Sequence, residues 1–145
     1  MADELVERLG SVDLFAGFSR KSLLKLSRNG REVQHQPGKE IASEGRGGGT
    51  AFHLVLEGCG HVEVRGVARP NLGPGDHFGE ISLVDGRPRS ATVRAGDDGL
   101  RTFGIPGWEF RALLEEHPEV TRVLLENLCA RIRSVEATIQ AGSSD

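Results

Sequence analysis

Hydrophobic spacing changes twice along the chain. In the first thirty residues it is helical. Leu5, Val6 and Leu9 recur at one helix face, and Ser19 is placed to cap a second helix whose apolar side is Leu23, Leu24 and Leu26. Phe15 and Phe18 lie between the two and are expected to plug the base of a core. From Val33 the pattern turns to short runs separated by glycine. Pro37-Gly38 reads as a turn, Glu40–Ser43 as a brief strand ending at Glu44-Gly45, and Ala51–Leu56 as a strand ended by Glu57-Gly58. His61–Val64 alternates, and Arg65-Gly66 turns it into Val67–Arg69. Leu72–Asp76 is a further turn, and Ser90–Ala95 and Leu100–Ile105 are further strands. After Pro106-Gly107 the helical period returns. Trp108, Phe110, Leu113 and Leu114 form one helix, and Pro118 opens a last one running to about Gln140. The expected fold is mainly β with flanking helices: a double-stranded β-helix (jelly-roll) barrel with N-terminal helices and a long C-terminal helix.

The last helix carries two apolar stripes. Val120, Val123 and Leu124 are assigned to the barrel. Leu125, Leu128, Ile132, Val135 and Ile139 are spaced 3, 4, 3 and 4 residues apart, the a/d seam of a coiled coil. Two readings stand at this point: one broad core-facing helix, or a homodimer through residues 120–140. The second is preferred, because a chain of 145 residues has little core to cover the far end of so long a helix.

Composition narrows the function classes. The length favours a single domain, assigned to residues 1–141, with 142–145 (Gly-Ser-Ser-Asp) as a disordered tail. Hydrophobic residues are 37 % and charged residues 27 % of the chain, ordinary for a soluble globular protein. A net charge of −3 provides no field for nucleic acid or an anionic membrane, so direct DNA binding is not expected and any phosphate site must be local. No apolar run approaches the roughly 20 residues that cross a bilayer. Met1-Ala2-Asp3-Glu4 opens without an apolar signal core, so a cytoplasmic location is the expectation. Cys59 and Cys129 stand far apart and read as free thiols. His35, His53, His61 and His77 invite a metal reading, but no H-x-H pair with a following carboxylate is present. His77 reads as a turn residue, and no metal or cofactor is expected. No nucleophile elbow or Walker loop appears, so the chain is not read as an enzyme. Arg122, Arg131 and Arg133 alternate with Glu126 and Glu136 and read as a solvated helix face.

The informative stretch is Phe78–Val93. It holds Gly79 and Glu80, a short helix-like run, and then Arg87-Pro88-Arg89-Ser90-Ala91-Thr92. A helical turn starting near Gly79 would leave N–H groups free for an anion. Arg89 supplies a planar fork for two phosphate oxygens, and Glu80 a pure acceptor suited to a sugar hydroxyl. Together they describe a site for a sugar phosphate.

The run F-G-E-I-S-L followed by R-P-R-S-A-T-V closely resembles the phosphate-binding cassette of cyclic-nucleotide-binding domains. That family includes bacterial catabolite activators, protein kinase A regulatory subunits and cyclic-nucleotide-gated channels. The resemblance extends over nearly the whole chain, with Glu44-Gly45, Gly58 and Gly75-Asp76 at the family's turn positions. It implies that Arg89 binds the exocyclic oxygen of the cyclic phosphate, completed by backbone N–H groups near Ser82 and Ser90. Glu80 and the Gly79 backbone would hold the ribose 2′-hydroxyl. The base would contact Val62 on the barrel wall and be capped from the last helix. Where bacterial activators carry a hydroxyl pair, this chain has Val135 and Glu136, with Ser134 and Thr138 nearby. Ser90 fits bacterial cAMP binders, so cAMP is expected over cGMP. The resemblance implies a sensor that signals through its last helix. It stands either as a module of its own or as a piece of a longer regulator, since no helix-turn-helix follows that helix in this sequence. The competing reading is a degenerate barrel that binds no nucleotide and serves as a dimerisation module.

Overall fold

The computed structural model describes residues 2–42, 51–79 and 91–143. Helix α1 (Ala2–Gly10), a 3-10 turn (Asp13–Phe15) and helix α2 (Arg20–Asn29) precede the sheet. Strands β1 (Arg31–His35), β2 (Glu40–Ala42), β3 (Ala51–Val64), β4 (Val67–Leu72), β5 (His77–Phe78) and β6 (Thr92–Pro106) follow. Helices α3 (Gly107–Glu116) and α4 (Pro118–Ser143) follow the sheet; Gly142 and Ser143, assigned to a disordered tail, continue α4, while residues 144–145 lie outside the described residues. The sheet is antiparallel, in the order β1-β6-β3-β4, with β2 added on β6 and β5 on β3. The expected mainly-β barrel with helices at both ends is what the chain forms.

The framework is a pair of long strands. β3 and β6 stay paired from Ala51↔Pro106 to Glu63↔Thr92. The sequence reading ended one strand at Glu57-Gly58 and split the other between Ala95 and Leu100. Both run on, because bulges bend them instead of ending them. Register shifts fall between Val55 and Glu57 and between Gly58 and Gly60. Each extra residue moves the inward side chains to the other parity. On β6, Val93 and Ala95 face one cluster before the Gly96–Gly99 irregularity, and Leu100 joins the same cluster after it. The alternation that looks broken in sequence is therefore continuous in space. β4 also runs farther than expected, to Leu72. Arg65 (φ 52°) and Gly66 (φ 76°) form the β3–β4 turn, both at the positive φ that a two-residue hairpin of this hand requires.

Two apolar clusters lie on opposite faces of this sheet. Phe52, Leu54 and Leu56 of β3 and Phe103 and Ile105 of β6 meet the helices through Val6, Leu9, Phe15, Leu26, Phe110, Val120 and Leu124. Phe52 stacks on Phe110 at 4.5 Å between ring centres, which seats α3 on the sheet. Phe15 is buried at the base of this cluster as expected, and Phe18 packs partly against it. Ser19 caps α2 by accepting from the Ser22 amide at 3.1 Å. The Arg8 guanidinium fastens α1 to the barrel by donating to the Leu56 carbonyl at 2.8 Å, at the first bulge.

α4 divides much as its two stripes foretell, except that Leu128, assigned to the seam, packs on the core side. Val120 and Leu124 are buried, Val123 and Leu128 pack partly, and Leu125, Ile132, Val135 and Ile139 are 57 %, 58 %, 43 % and 64 % exposed. The reading of one broad core-facing helix therefore does not describe its distal half. Among the described helices none is long and apolar enough to cross a membrane.

Candidate functional site

The inner cluster forms a wall inside the sheet's curve. Ala42, Val55, Phe78, Val93, Ala95 and Leu100 are its buried members, with Ile41, Val62 and Leu72 packed at its edge. Val62, expected to touch a base, stands between Val93 of β6 and Arg69 of β4 in register, half-buried on this wall. Gly60 faces the same way, since a Cβ there would sit 3.5 Å from Leu72 and 3.6 Å from Leu100 and Val93.

Residues 80–90 lie outside the described residues, and with them Glu80, Ser82, Arg89 and Ser90. The two anchors of that segment are described. Upstream, Phe78 pairs with His53 and is followed by Gly79 at φ 97°, a conformation that favours glycine. Downstream, Thr92 and Val93 pair with Glu63 and Val62. Both ends are thus tied to β3, near its start and near its end. A tight turn sets the upstream anchor: Gly75 donates to the Val55 carbonyl at 3.0 Å, the Val55 amide donates to the Asp76 carbonyl at 2.8 Å, and an Asp76 carboxylate oxygen accepts from Gly73 at 2.8 Å.

Two sequence readings change here. His77 is no turn residue but a strand residue, 5 % exposed, because its pairing with Leu54 turns its ring toward Phe52. Arg131 does not belong to a purely solvated face. Its guanidinium crosses to the sheet and donates to the His77 carbonyl at 3.1 Å, beside an Asn127 to His77 Nε2 contact of 3.4 Å. Sequence reasoning missed Asn127, which carries no motif; only its place on the barrel-facing side of α4 marks it. A cleft of about 390 Å³ lies next to these contacts, between Asp13 of the 3-10 turn, Asp76 and Arg131.

The two helix residues expected near the base lie on the exposed distal half of α4. Val135 is 43 % exposed, and Thr138 is exposed with its hydroxyl donating to the Ser134 carbonyl at 3.0 Å. Among the described residues, the inner cluster draws no member from α4.

The histidines are engaged in structural contacts. His61 Nδ1 meets Asn71 Oδ1 at 3.0 Å. His35 Nε2 and His53 Nδ1 meet the same Thr102 hydroxyl, at 3.0 Å and 3.2 Å. Burial, and then the Lys39 ammonium, hold the His35 imidazole below its ordinary pKa. Among the described residues no three His, Cys, Asp or Glu side chains gather as a metal site. Cys59 and Cys129 are both free thiols.

Comparison with known proteins completes the description. The family model of the cyclic nucleotide-binding domain matches residues 32–117. The CRP-like cAMP-activated global transcriptional regulator of Mycobacterium tuberculosis is 27 % identical over 136 residues, covering 90 % of this chain and 58 % of the regulator. A cyclic nucleotide-gated potassium channel of Mesorhizobium japonicum is 31 % identical over 126 residues, covering 85 % of this chain and 34 % of the channel. The chain thus spans well under two thirds of the length of these relatives. Among solved structures, the Thermus thermophilus catabolite activator protein aligns with a TM-score of 0.76 at 27 % identity, over 90 % of this chain and 62 % of that one. The regulatory domain of Toxoplasma gondii PKA with cAMP shares the fold at a TM-score of 0.78 and 22 % identity, over 89 % of this chain and 50 % of that one.

Proposed function

This chain belongs to the cyclic nucleotide-binding domain family, and from that premise we propose that it is a cyclic nucleotide sensor with a preference for cAMP over cGMP. The observation that carries the reading is the cassette sequence from Phe78 to Val93, whose two described ends pair with β3 and contribute Phe78 and Val93 to the inner apolar cluster. In it, Arg89 holds the cyclic phosphate with the backbone around Ser82 and Ser90. Glu80 and Gly79 hold the ribose, and the purine lies toward Val62. Capping by Val135 and Thr138 requires α4 to swing in, and the cleft beside Arg131 leaves space for such a movement. The nucleotide then acts by linkage, favouring one position of α4 over another. The site binds and releases its ligand unchanged, without a cofactor. The setting is the cytoplasm, and this region makes no DNA contact of its own. The names of the mycobacterial regulator and the PKA regulatory domain both carry cAMP, which supports that ligand.

Thermal melting tests the reading. Nucleotide at 100 times its dissociation constant adds about 2.7 kcal/mol of stability. For a domain of this size that raises the melting temperature by roughly 8 °C, and cAMP is expected to reach it at a lower concentration than cGMP. No shift with either nucleotide would leave only a barrel that serves as an interaction module.

The exposed stripe of α4 is assigned to a homodimer through residues 120–140. Leu125, Ile132 and Ile139 recur every seven residues, and a second copy of the same helix buries that repeat. Ile132→Asp is expected to convert a dimer to a monomer in sedimentation velocity while the monomer's far-UV spectrum stays unchanged. A parent chain that sediments as a monomer at every concentration would remove the dimer.

A further inference from the structure

Behind the upstream anchor lies a chain of buried polar contacts that ligand binding does not itself use. Thr102 is 0 % exposed and His35 8 %. The Thr102 hydroxyl stands between His35 Nε2 at 3.0 Å and His53 Nδ1 at 3.2 Å. The His53 ring stacks on Phe78 with centres 4.9 Å apart and planes 15° from parallel. His53 and Phe78 are also direct partners in the β3–β5 ladder, and Phe78 immediately precedes Gly79.

We propose that His35, Thr102 and His53 act as a positioning relay, in which one hydroxyl holds two imidazoles in place and the second imidazole sets Phe78, and through it the start of the nucleotide cassette. The inference rests on the cassette reading given above. His53 is the last member to act, and it acts through Phe78; none of the three is assigned contact with the nucleotide.

The chemistry of the bridge limits its protonation. A threonine hydroxyl has one proton to give and accepts from a neighbour. With both rings neutral, one imidazole N–H donates to Oγ1 and the hydroxyl donates to the bare nitrogen of the other ring. One added proton can still be accommodated. Two cannot, because both ring nitrogens would then be donors and the hydroxyl proton would have no acceptor. The groups facing His35 are His53 from β3, Thr102 from β6 and Lys39 from the β1–β2 turn; Phe78 faces His53 from β5. Lys39 and burial both oppose a charge on His35. The sign follows. The unfolded chain takes up the proton first, near pH 6.5. The stability that neutral His35 contributes is full above that pH and is lost as the pH falls through the lower folded-state value. The relay therefore loosens in acid.

Thr102→Val keeps the shape and removes the hydroxyl; Thr102→Ser keeps the hydroxyl. Two measurements separate this inference from the nucleotide assignment: cAMP affinity by calorimetry, and amide hydrogen exchange at Phe78 and Gly79 without nucleotide. At pH 7.5, Thr102→Val is expected to weaken cAMP about tenfold and to speed exchange at those two amides. Thr102→Ser is expected to stay within about twofold of the parent on both counts. The parent's affinity declines between pH 7 and pH 5, and His35→Gln, which bonds but does not titrate, flattens that decline. If Thr102→Val matches the parent in exchange, or if Thr102→Ser fails as badly as Thr102→Val, the relay is wrong. If Thr102→Val does not fold, His53→Phe, which keeps the stack and loses the bond, takes its place in both measurements. A parent that binds no cAMP yet shows the exchange pattern would retain the relay and remove the nucleotide.

Discussion

Arg89→Ala is expected to weaken cyclic nucleotide binding at least about 30-fold and by up to several thousand-fold. Removing one partner of a buried, hydrogen-bonded charge pair costs about 2–5 kcal/mol, and each 1.4 kcal/mol is about a factor of ten in affinity. The cyclic phosphate carries one negative charge and offers two exocyclic oxygens, and a guanidinium is the side chain that can meet such a group with parallel N–H donors. Net charge cannot substitute for it, since the chain is at −3 and contributes no general attraction for an anion. Arg89→Lys keeps the charge and loses the fork, so its affinity is expected to fall between those of the parent and the alanine variant. Both substitutions exchange one polar or charged side chain in a segment assigned to ligand binding, and the melting temperature of the free protein is expected to hold, which a melt without nucleotide checks. Calorimetry with cAMP measures the affinities; an alanine variant that binds like the parent removes Arg89 from the site.

What was legible in the sequence follows from where the signal is local. The Ser19 cap, the Arg65-Gly66 turn, the Gly73–Asp76 turn and, Leu128 excepted, the division of α4 into a buried and an exposed stripe each depend on a few neighbouring residues, and each is found in the fold. The family was legible because the stretch from Phe78 to Val93 holds many of its residue types at fixed spacing; Glu80, Ser82, Arg89 and Ser90 themselves lie outside the described residues. Contacts between distant segments were not legible. Thr102 meets His35 across 67 positions and His53 across 49, and Arg131 meets His77 across 54. No local pattern records such pairings. The strands were misread for a different reason. A period of two is interrupted wherever a bulge adds a residue, and a glycine at the interruption looks the same in sequence whether the strand stops or bends.

Gly58 is the position where that distinction has the largest energetic consequence. It adopts φ 89°, and a Cβ built there would lie 2.4 Å from the Gly99 carbonyl oxygen and 3.1 Å from the Leu100 Cα. Both are backbone atoms of the facing strand, so no flexible side chain can move aside. Gly58→Ala therefore carries two costs: roughly 1–3 kcal/mol for holding alanine in a sparsely populated conformation, and roughly 1–3 kcal/mol for forcing β3 and β6 apart. At about 3 °C per kcal/mol for a domain of this length, the melting temperature should fall by roughly 6–18 °C. Gly75→Ala separates the two costs. Gly75 has φ 93° but nothing within 4 Å of the Cβ position, so it carries the conformational cost alone. If the bulge is what turns the end of β3 toward the inner wall, Gly58→Ala should also weaken cAMP binding, since Val62 and Val93 lie just beyond the bend. Equal melting temperatures for the two variants would mean that β3 and β6 can separate at the bulge without loss. The bend would then not be what holds the downstream end of the cassette against the wall.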